Sequence, residues 1–402
     1  MELFPVKRFF YSALLLFSMA CLFAACSKSS IKPNRFIDST KAKNDSTIAA
    51  DTLPSFFSPS GIAVDASGNL YVADYGNNLI RKITTSGIVS TLAGSGVQGS
   101  NNGAGALASF NGPSGIAVDA SGNLYVADSG NSLIRKISPT GTVSTLAGSD
   151  STGSVNGSGI NASFFDPVGV AVDASANVYV ADAGNNLIRL ITPAGTVSTL
   201  AGTANSSTSN GTLTASSFDN PTGLAVDASG NVFVANYLNS TILEVNPAGT
   251  VSTFAGTGQP GANNGPAASA TFYFPNSVAV DAAGNVYVAD GVNNLIREIT
   301  PGGTVSTLAG SGMQGAADST GTTASFNGPA GLAVDASGNV YVADAYNNLI
   351  RKITPAGVVT TIAGTGEAGS KNGKAFAHRN TFKQVRGISK SRLNIWYRPR
   401  FR

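Results

Sequence analysis

Histidine is nearly absent from this 402-residue chain: one residue, His378, close to the C-terminus. No Ser–His or Cys–His pair can therefore be drawn within the body of the sequence, which removes the usual activated nucleophiles. Cysteine is limited to Cys21 and Cys26. A chain processed near either residue keeps no internal disulfide, so it must rest on its hydrophobic core. Charged residues make up only 12% of the sequence. Residues 51–370 hold eight Lys or Arg against nineteen Asp or Glu. That acidic balance argues against nucleic acid, whose phosphates call for basic surface. No stretch of the body carries a sustained 3.6-residue period, so helices are not expected there.

What the body does carry is a unit of 54 residues, repeated six times. Pro59, Pro113, Pro167, Pro221, Pro275 and Pro329 each open one copy. Each copy holds four short apolar runs; in the first they are 61–64, 70–73, 79–83 and 89–93. They are rich in Val, Ile, Leu and Tyr, and Gly, Asn, Asp and Ser clusters separate them. Such runs read as strands of antiparallel hairpins. One four-stranded sheet cannot cover both of its apolar faces, but six arranged about an axis can. The expectation is all-β: a six-bladed β-propeller, four antiparallel strands per blade, spanning 56–370 as one domain.

The shared motif P-x-G-[IVL]-A-V-D-x-x-G-N-[LV]-[YF]-V-A-[DN]-x-x-N-x-x-I resembles the NHL repeat across all six copies. The resemblance implies a six-bladed propeller. It leaves function open, since relatives include protein- and RNA-binding modules, extracellular adhesion domains and metal-dependent lyases. Those lyases place histidines on zinc, and the copies here contain none. Gluconolactonase-type propellers hold a divalent cation with Glu and Asn or Asp, whereas Glu244, Glu298 and Glu367 do not recur in register.

Residues 1–26 stand apart. Lys7 and Arg8 precede an apolar run that ends Leu22-Phe23-Ala24-Ala25-Cys26, the pattern of a bacterial export signal with a lipobox. Cys26 is the expected lipidation site; an ordinary cleaved signal or an uncleaved anchor are the alternatives. Residues 27–55, rich in Ser, Thr, Lys and Asn, read as a flexible tether. The expected location is the cell envelope, with the chain lipid-anchored to the outer membrane or cell surface. The last segment, 371–402, holds ten Lys or Arg and no acid, and the repeat pattern dissolves within it. It reads as a decayed closing strand, a basic appendage or frameshifted sequence.

Two sets of aspartates recur. Asp65, Asp119, Asp173, Asp227, Asp281 and Asp335 open a D-x-x-G-N turn in which the carboxylate caps backbone N–H groups and Gly takes a positive φ. Ala176 replaces that Gly in the third copy. In the second set, Asp74, Asp128, Asp182, Asp290 and Asp344 are each followed seven residues later by Arg81, Arg135, Arg189, Arg297 and Arg351. The fourth copy has Asn236 and Leu243 instead. Joint loss of both members predicts that Asp and Arg pair within one blade. Ala-x-Phe before the proline (Phe110, Phe164, Phe218, Phe326) predicts a plug between loop and blade.

Segments of about twenty residues rich in Gly, Ser and Asn join successive copies. In propeller geometry they share a face with the turns after Asp74 and its equivalents, the default binding surface. There the copies differ. Tyr75, Tyr237 and Tyr346, with Phe272 and Tyr273, are candidates to stack on a sugar or a peptide. A tethered monomer that binds or scaffolds a protein or glycan is the leading expectation, with no catalytic residue and no required cofactor. Calcium held by carbonyls and aspartates stays open. A divalent-metal hydrolase or lactonase is the alternative.

Overall fold

A computed structural model describes residues 53–375 apart from 205, 207–208 and 213–215. The export signal with Cys26, the tether up to residue 52 and the tail after residue 375 lie outside the described residues.

Each copy forms one twisted antiparallel sheet. The first runs Pro59–Val64, Leu70–Asp74, Leu79–Ile83 and Ile88–Ala93, each strand paired to the next. The last runs Pro329–Val334, Val340–Asp344, Leu349–Ile353 and Val359–Ala363. The protein is an all-β propeller of six such blades. The core lies between blades rather than within them. Tyr71, Ala73 and Ile80 of the first blade pack with Leu124, Val126 and Ile137 of the second, under Phe110 from the loop between them. The sixth blade meets the first in the same way, through Tyr341 and Ile350 against Leu70 and Val72. Because the ring closes, both faces of every sheet are covered.

The innermost strands approach so closely that the third position of each copy has no room for a large side chain. A Cβ on Gly115 would sit 2.5 Å from the carbonyl oxygen of Val168. Gly331 meets the Ser60 carbonyl oxygen in the same manner, across the junction of last and first blades.

Five of the six sheets have a fifth strand that the repeat pattern does not reveal. Gly103–Ala104, from the loop entering the second blade, pairs with Val143 and Thr142 on that blade's outer strand. The first blade has no preceding copy to supply this strand. Gly373–Lys374 supplies it, pairing with Val89 and Ile88. The sixth blade has four strands and a single outer bridge, Thr320 to Val358.

Closure from both ends moves the domain limits. Ser55, expected in the tether, is buried. Its N–H donates to the Lys371 carbonyl oxygen at 3.2 Å, and its hydroxyl accepts the Lys371 N–H at 3.1 Å. Residues 371–375, expected in the tail, belong to the edge of the first blade. The two chain ends together rebuild the loop that every other blade receives from its predecessor.

Candidate ligand-binding face

The end of each blade that carries the D-x-x-G-N turn is nearly invariant. Asp65 Oδ1 accepts the N–H groups of Ser67 and Asn69 at 2.9 Å, and Oδ2 accepts Asn69 Nδ2 at 2.9 Å and the Tyr71 hydroxyl at 3.1 Å. Partial burial pushes the Asp65 carboxyl up, but the amide and N–H of Asn69, the phenol of Tyr71 and the N–H of Ser67 outweigh it and hold it below the usual range. Burial, then the bond to Asp65, drives the Tyr71 phenol up to about 12. Gly68 takes φ +83°, and Ala176 adopts the same left-handed backbone at φ +61°.

At the opposite end, each inter-blade loop is fastened to the blade it enters. Asp74 Oδ1 accepts the Phe57 N–H at 2.8 Å, while Oδ2 accepts Asn77 Nδ2 and Arg81 Nη1, both at 2.8 Å. Arg81 lies within the same blade as Asp74 and is wholly buried. It also donates to the carbonyl oxygens of Ser55 at 3.1 Å and Lys371 at 2.9 Å and to Asn372 Oδ1 at 2.8 Å, with its guanidinium 5.3 Å from the Phe56 ring. Burial pushes the Asp74 carboxyl up, opposed by the Phe57 N–H, the Asn77 amide and Arg81. Arg135, Arg189, Arg297 and Arg351 repeat the arrangement at 2.7–2.9 Å from Asp128, Asp182, Asp290 and Asp344. In the fourth blade Asn236 Oδ1 still accepts the loop N–H, from Asp219 at 2.8 Å, and Leu243 fills the buried arginine position.

Phe272, a candidate to stack on a ligand, belongs to this fastening and not to the surface. It is fully buried, 5.3 Å beneath the guanidinium of Arg297, as Phe110 and Phe164 are beneath Arg135 and Arg189. The Ala-x-Phe spacing, Ala270 to Phe272, carries the signal for that role.

The turn after the second strand shows where the copies diverge. In all six, the backbone N–H two residues past the Asp or Asn bonds to the same loop carbonyl: Gly76 to Phe57, Gly130 to Asn111, Gly184 to Phe165, Leu238 to Asp219, Val292 to Tyr273 and Tyr346 to Asn327. The backbone is constant and the side chain is not. In the first three blades glycine leaves the turn bare; a Cβ on Gly76 would lie 2.5 Å from the ring of Phe57. In the last three, Leu238, Val292 and Tyr346 project into solvent, Tyr346 with 72% of its surface exposed.

Tyr237 and Tyr273 sit in this second half. The Tyr237 ring stacks on Phe274 with centroids 4.7 Å apart and planes 23° apart, and Tyr273 lies 4.8 Å from the same ring. Burial, then the neighbouring phenols of Tyr346 and Tyr273, push the Tyr237 phenol up. Tyr75 stands apart in the first half, 46% exposed beside Gly112. Phe274 itself is absent from the sequence-based candidates. The residue before each proline reads Ser58, Gly112, Asp166, Asn220, Phe274 and Gly328, and all six are left-handed, with φ between 49° and 60°. Aligned copies show one bulky residue among types that tolerate this backbone. Among the described residues no three His, Cys, Asp or Glu side chains come together as a metal-ligating group.

Residues 56–83, 110–137, 272–298 and 326–353 match the NHL repeat. The unmatched third and fourth copies hold Ala176 and the Asn236–Leu243 exchange. The chain is 30% identical over 264 residues to the protein Suppressor of Quenching 1, chloroplastic, of Arabidopsis thaliana, an alignment covering 60% of this chain and 24% of that protein. It is 38% identical over 131 residues to NHL repeat-containing protein 2 of Bos taurus, covering 30% and 18%. It thus spans a quarter or less of the length of these curated relatives. Among solved structures it resembles an auxiliary nutrient binding protein from Bacteroides thetaiotaomicron VPI-5482, with TM-score 0.57, 16% identity and 76% and 70% of the two chains covered. It also resembles a gluconolactonase from Xanthomonas campestris, with TM-score 0.53, 13% identity and 77% and 88% covered. Both structural likenesses are of fold alone. The chain is therefore a six-bladed β-propeller in which four of the six copies match the NHL repeat.

Proposed function

We propose that this propeller is an exported binding module, tethered to a membrane through Cys26, whose ligand face is formed by the inter-blade loops and the turns after the second strands. One observation carries the reading: on that face the same backbone bond from turn to loop recurs in every blade while the exposed side chains differ. A scaffold position that holds its backbone and varies its side chain is suited to recognition. The export signal and the tether supply the envelope location. The fold does not choose between binding and catalysis, since the same architecture serves a nutrient-binding protein and a gluconolactonase.

The test uses the full-length chain as bait in an envelope extract. A partner held by the native chain and lost by Tyr346→Ala, but kept by Tyr125→Phe at the opposite end of a blade, supports the reading. Equal capture by all three proteins refutes it. Fractionation of Cys26→Ser addresses the tether: movement from the membrane to the soluble fraction is expected, and continued membrane association would refute lipidation at this residue. A calcium titration followed by EDTA separates the metal-dependent alternative, which requires a calcium-dependent rise in Tm.

A further inference from the structure

Phe274 is the one bulky residue among the six left-handed positions before proline, at φ +52°. A side chain of this kind pays about 1–2 kcal/mol for that backbone, which Gly or Asn largely avoids. The local bonding does not compensate. Gly112, Asn220 and Gly328 donate their N–H to an asparagine oxygen of the preceding blade at 2.8–2.9 Å, whereas Phe274 reaches Ser240 Oγ at 3.5 Å. Backbone strain held in place by surrounding structure is a mark of functional sites, and the inference runs from the outlier to the role.

The strained ring sits between Tyr237 and Tyr273, with Tyr346 on the neighbouring turn. These tyrosines differ from those of the framework. Tyr71, Tyr125, Tyr179, Tyr287 and Tyr341 each donate their hydroxyl to a turn aspartate at 3.0–3.2 Å. Among the described residues, the hydroxyls of Tyr237, Tyr273 and Tyr346 have no protein partner. Cations are missing from the surroundings: loop 256–274 and the turns 237–240, 291–294 and 345–348 contain no Asp, Glu, Lys or Arg, and the adjoining charged residue is Asp219, whose carbonyl oxygen accepts the Leu238 N–H.

Flat aromatic faces, free hydroxyl donors and a rim without cations fit one chemistry better than others. The C–H face of a sugar ring meets the negative face of an aromatic ring, and its hydroxyls meet neutral donors and acceptors. An anionic ligand would find no cation on this surface. We propose that Phe274, Tyr237 and Tyr273, with Tyr346 beside them, form a stacking platform for a neutral saccharide. This assignment rests on the loop-face reading above and names its ligand class.

The experiment is saturation-transfer NMR and calorimetry of the full-length chain with malto-, cello-, xylo- and manno-hexaose. Transfer to the ring protons of at least one is expected. Tyr237→Ala and Phe274→Gly should each weaken that binding roughly tenfold, the effect of one lost aromatic contact. Tyr125→Phe, at the opposite end of the second blade, should leave it within about twofold, on the same scale. Phe274→Gly should also keep or raise the Tm, because glycine relieves the left-handed strain. A fall in Tm as large as that of the buried Phe272→Ala would make Phe274 a packing residue and overturn the proposal. No transfer from any of the four sugars would also overturn it. If none binds while a captured protein is lost with Tyr346→Ala, the loop-face reading stands and only the saccharide assignment fails.

Discussion

Arg81 donates from Nη2 to the carbonyl oxygen of Lys371 at 2.9 Å, across 290 positions of sequence. The same guanidinium holds Ser55 at the other end of the propeller. A residue that fastens an ordinary loop in four other blades thus fastens both ends of the propeller in the first. Replacing Asp74 with Asn and Arg81 with Leu together reproduces the composition of the fourth blade. Hydrogen exchange at 53–57 and 366–375 should then quicken while the other blades keep their protection. Unchanged exchange at both ends would show that closure does not depend on this arginine.

The buried pair is expected to be costly to break from one side and tolerable to remove whole. Arg135→Leu alone should destabilise by about 3–5 kcal/mol, since it leaves Asp128 buried without its cation. Asp128→Asn with Arg135→Leu should recover part of that loss, as Asn236 and Leu243 do in the native chain. A double-mutant cycle by chemical denaturation measures the coupling; simple additivity of the two single effects would refute the pairing's energetic role.

Ala176 takes φ +61° where the five other copies of the turn place glycine at 75–85°. Ala176→Gly should remove the left-handed strain, offset in part by the greater freedom glycine has when unfolded. A net gain of roughly 0.5–1 kcal/mol is expected, read as a rise of about 1–2 °C in Tm. A lower Tm would mean that the alanine methyl group makes contacts worth more than the strain.

The framework tyrosines give an alkaline limb to stability. Burial, with the bond to a turn aspartate, raises Tyr71, Tyr125, Tyr179 and Tyr341 from 10.0 to about 12. An acid raised on folding stabilises the native state below its unfolded value and ceases to do so as pH climbs through its folded value. The Tm should therefore fall between about pH 10 and 12, and Tyr341→Phe should make the fall shallower. An identical pH profile for that variant would rule out the phenol as a source of the limb.

The fold was readable because its main determinants recur. The 54-residue step, the four apolar runs and the paired Asp and Arg positions repeat with few exceptions, and each reflects a need shared by every blade. The fifth strand was not readable: Gly103–Ala104 and Gly373–Lys374 are two residues long and join the sheet through backbone bonds alone, which leave no side-chain pattern. Phe272 and Tyr273 adjoin in sequence yet part in space, one under Arg297 and one on the face, because successive residues of an extended loop point to opposite sides. Phe274 stands out in the aligned copies only once the left-handed φ of its position is known.

The absence of an arginine at Leu243 has a mechanical consequence. The joins of the ring are not equally fastened, and the one with the fewest bonds is not the join between its first and last blades. The two ends of the propeller are sewn together by Arg81, Ser55 and the Gly373–Lys374 strand, while the loop entering the fourth blade lacks the guanidinium that grips its counterparts. The loop entering the fourth blade is therefore held by Asn236 and apolar packing at Leu243 rather than by a buried cation, near the middle of the sequence and beside the turn that carries Tyr237.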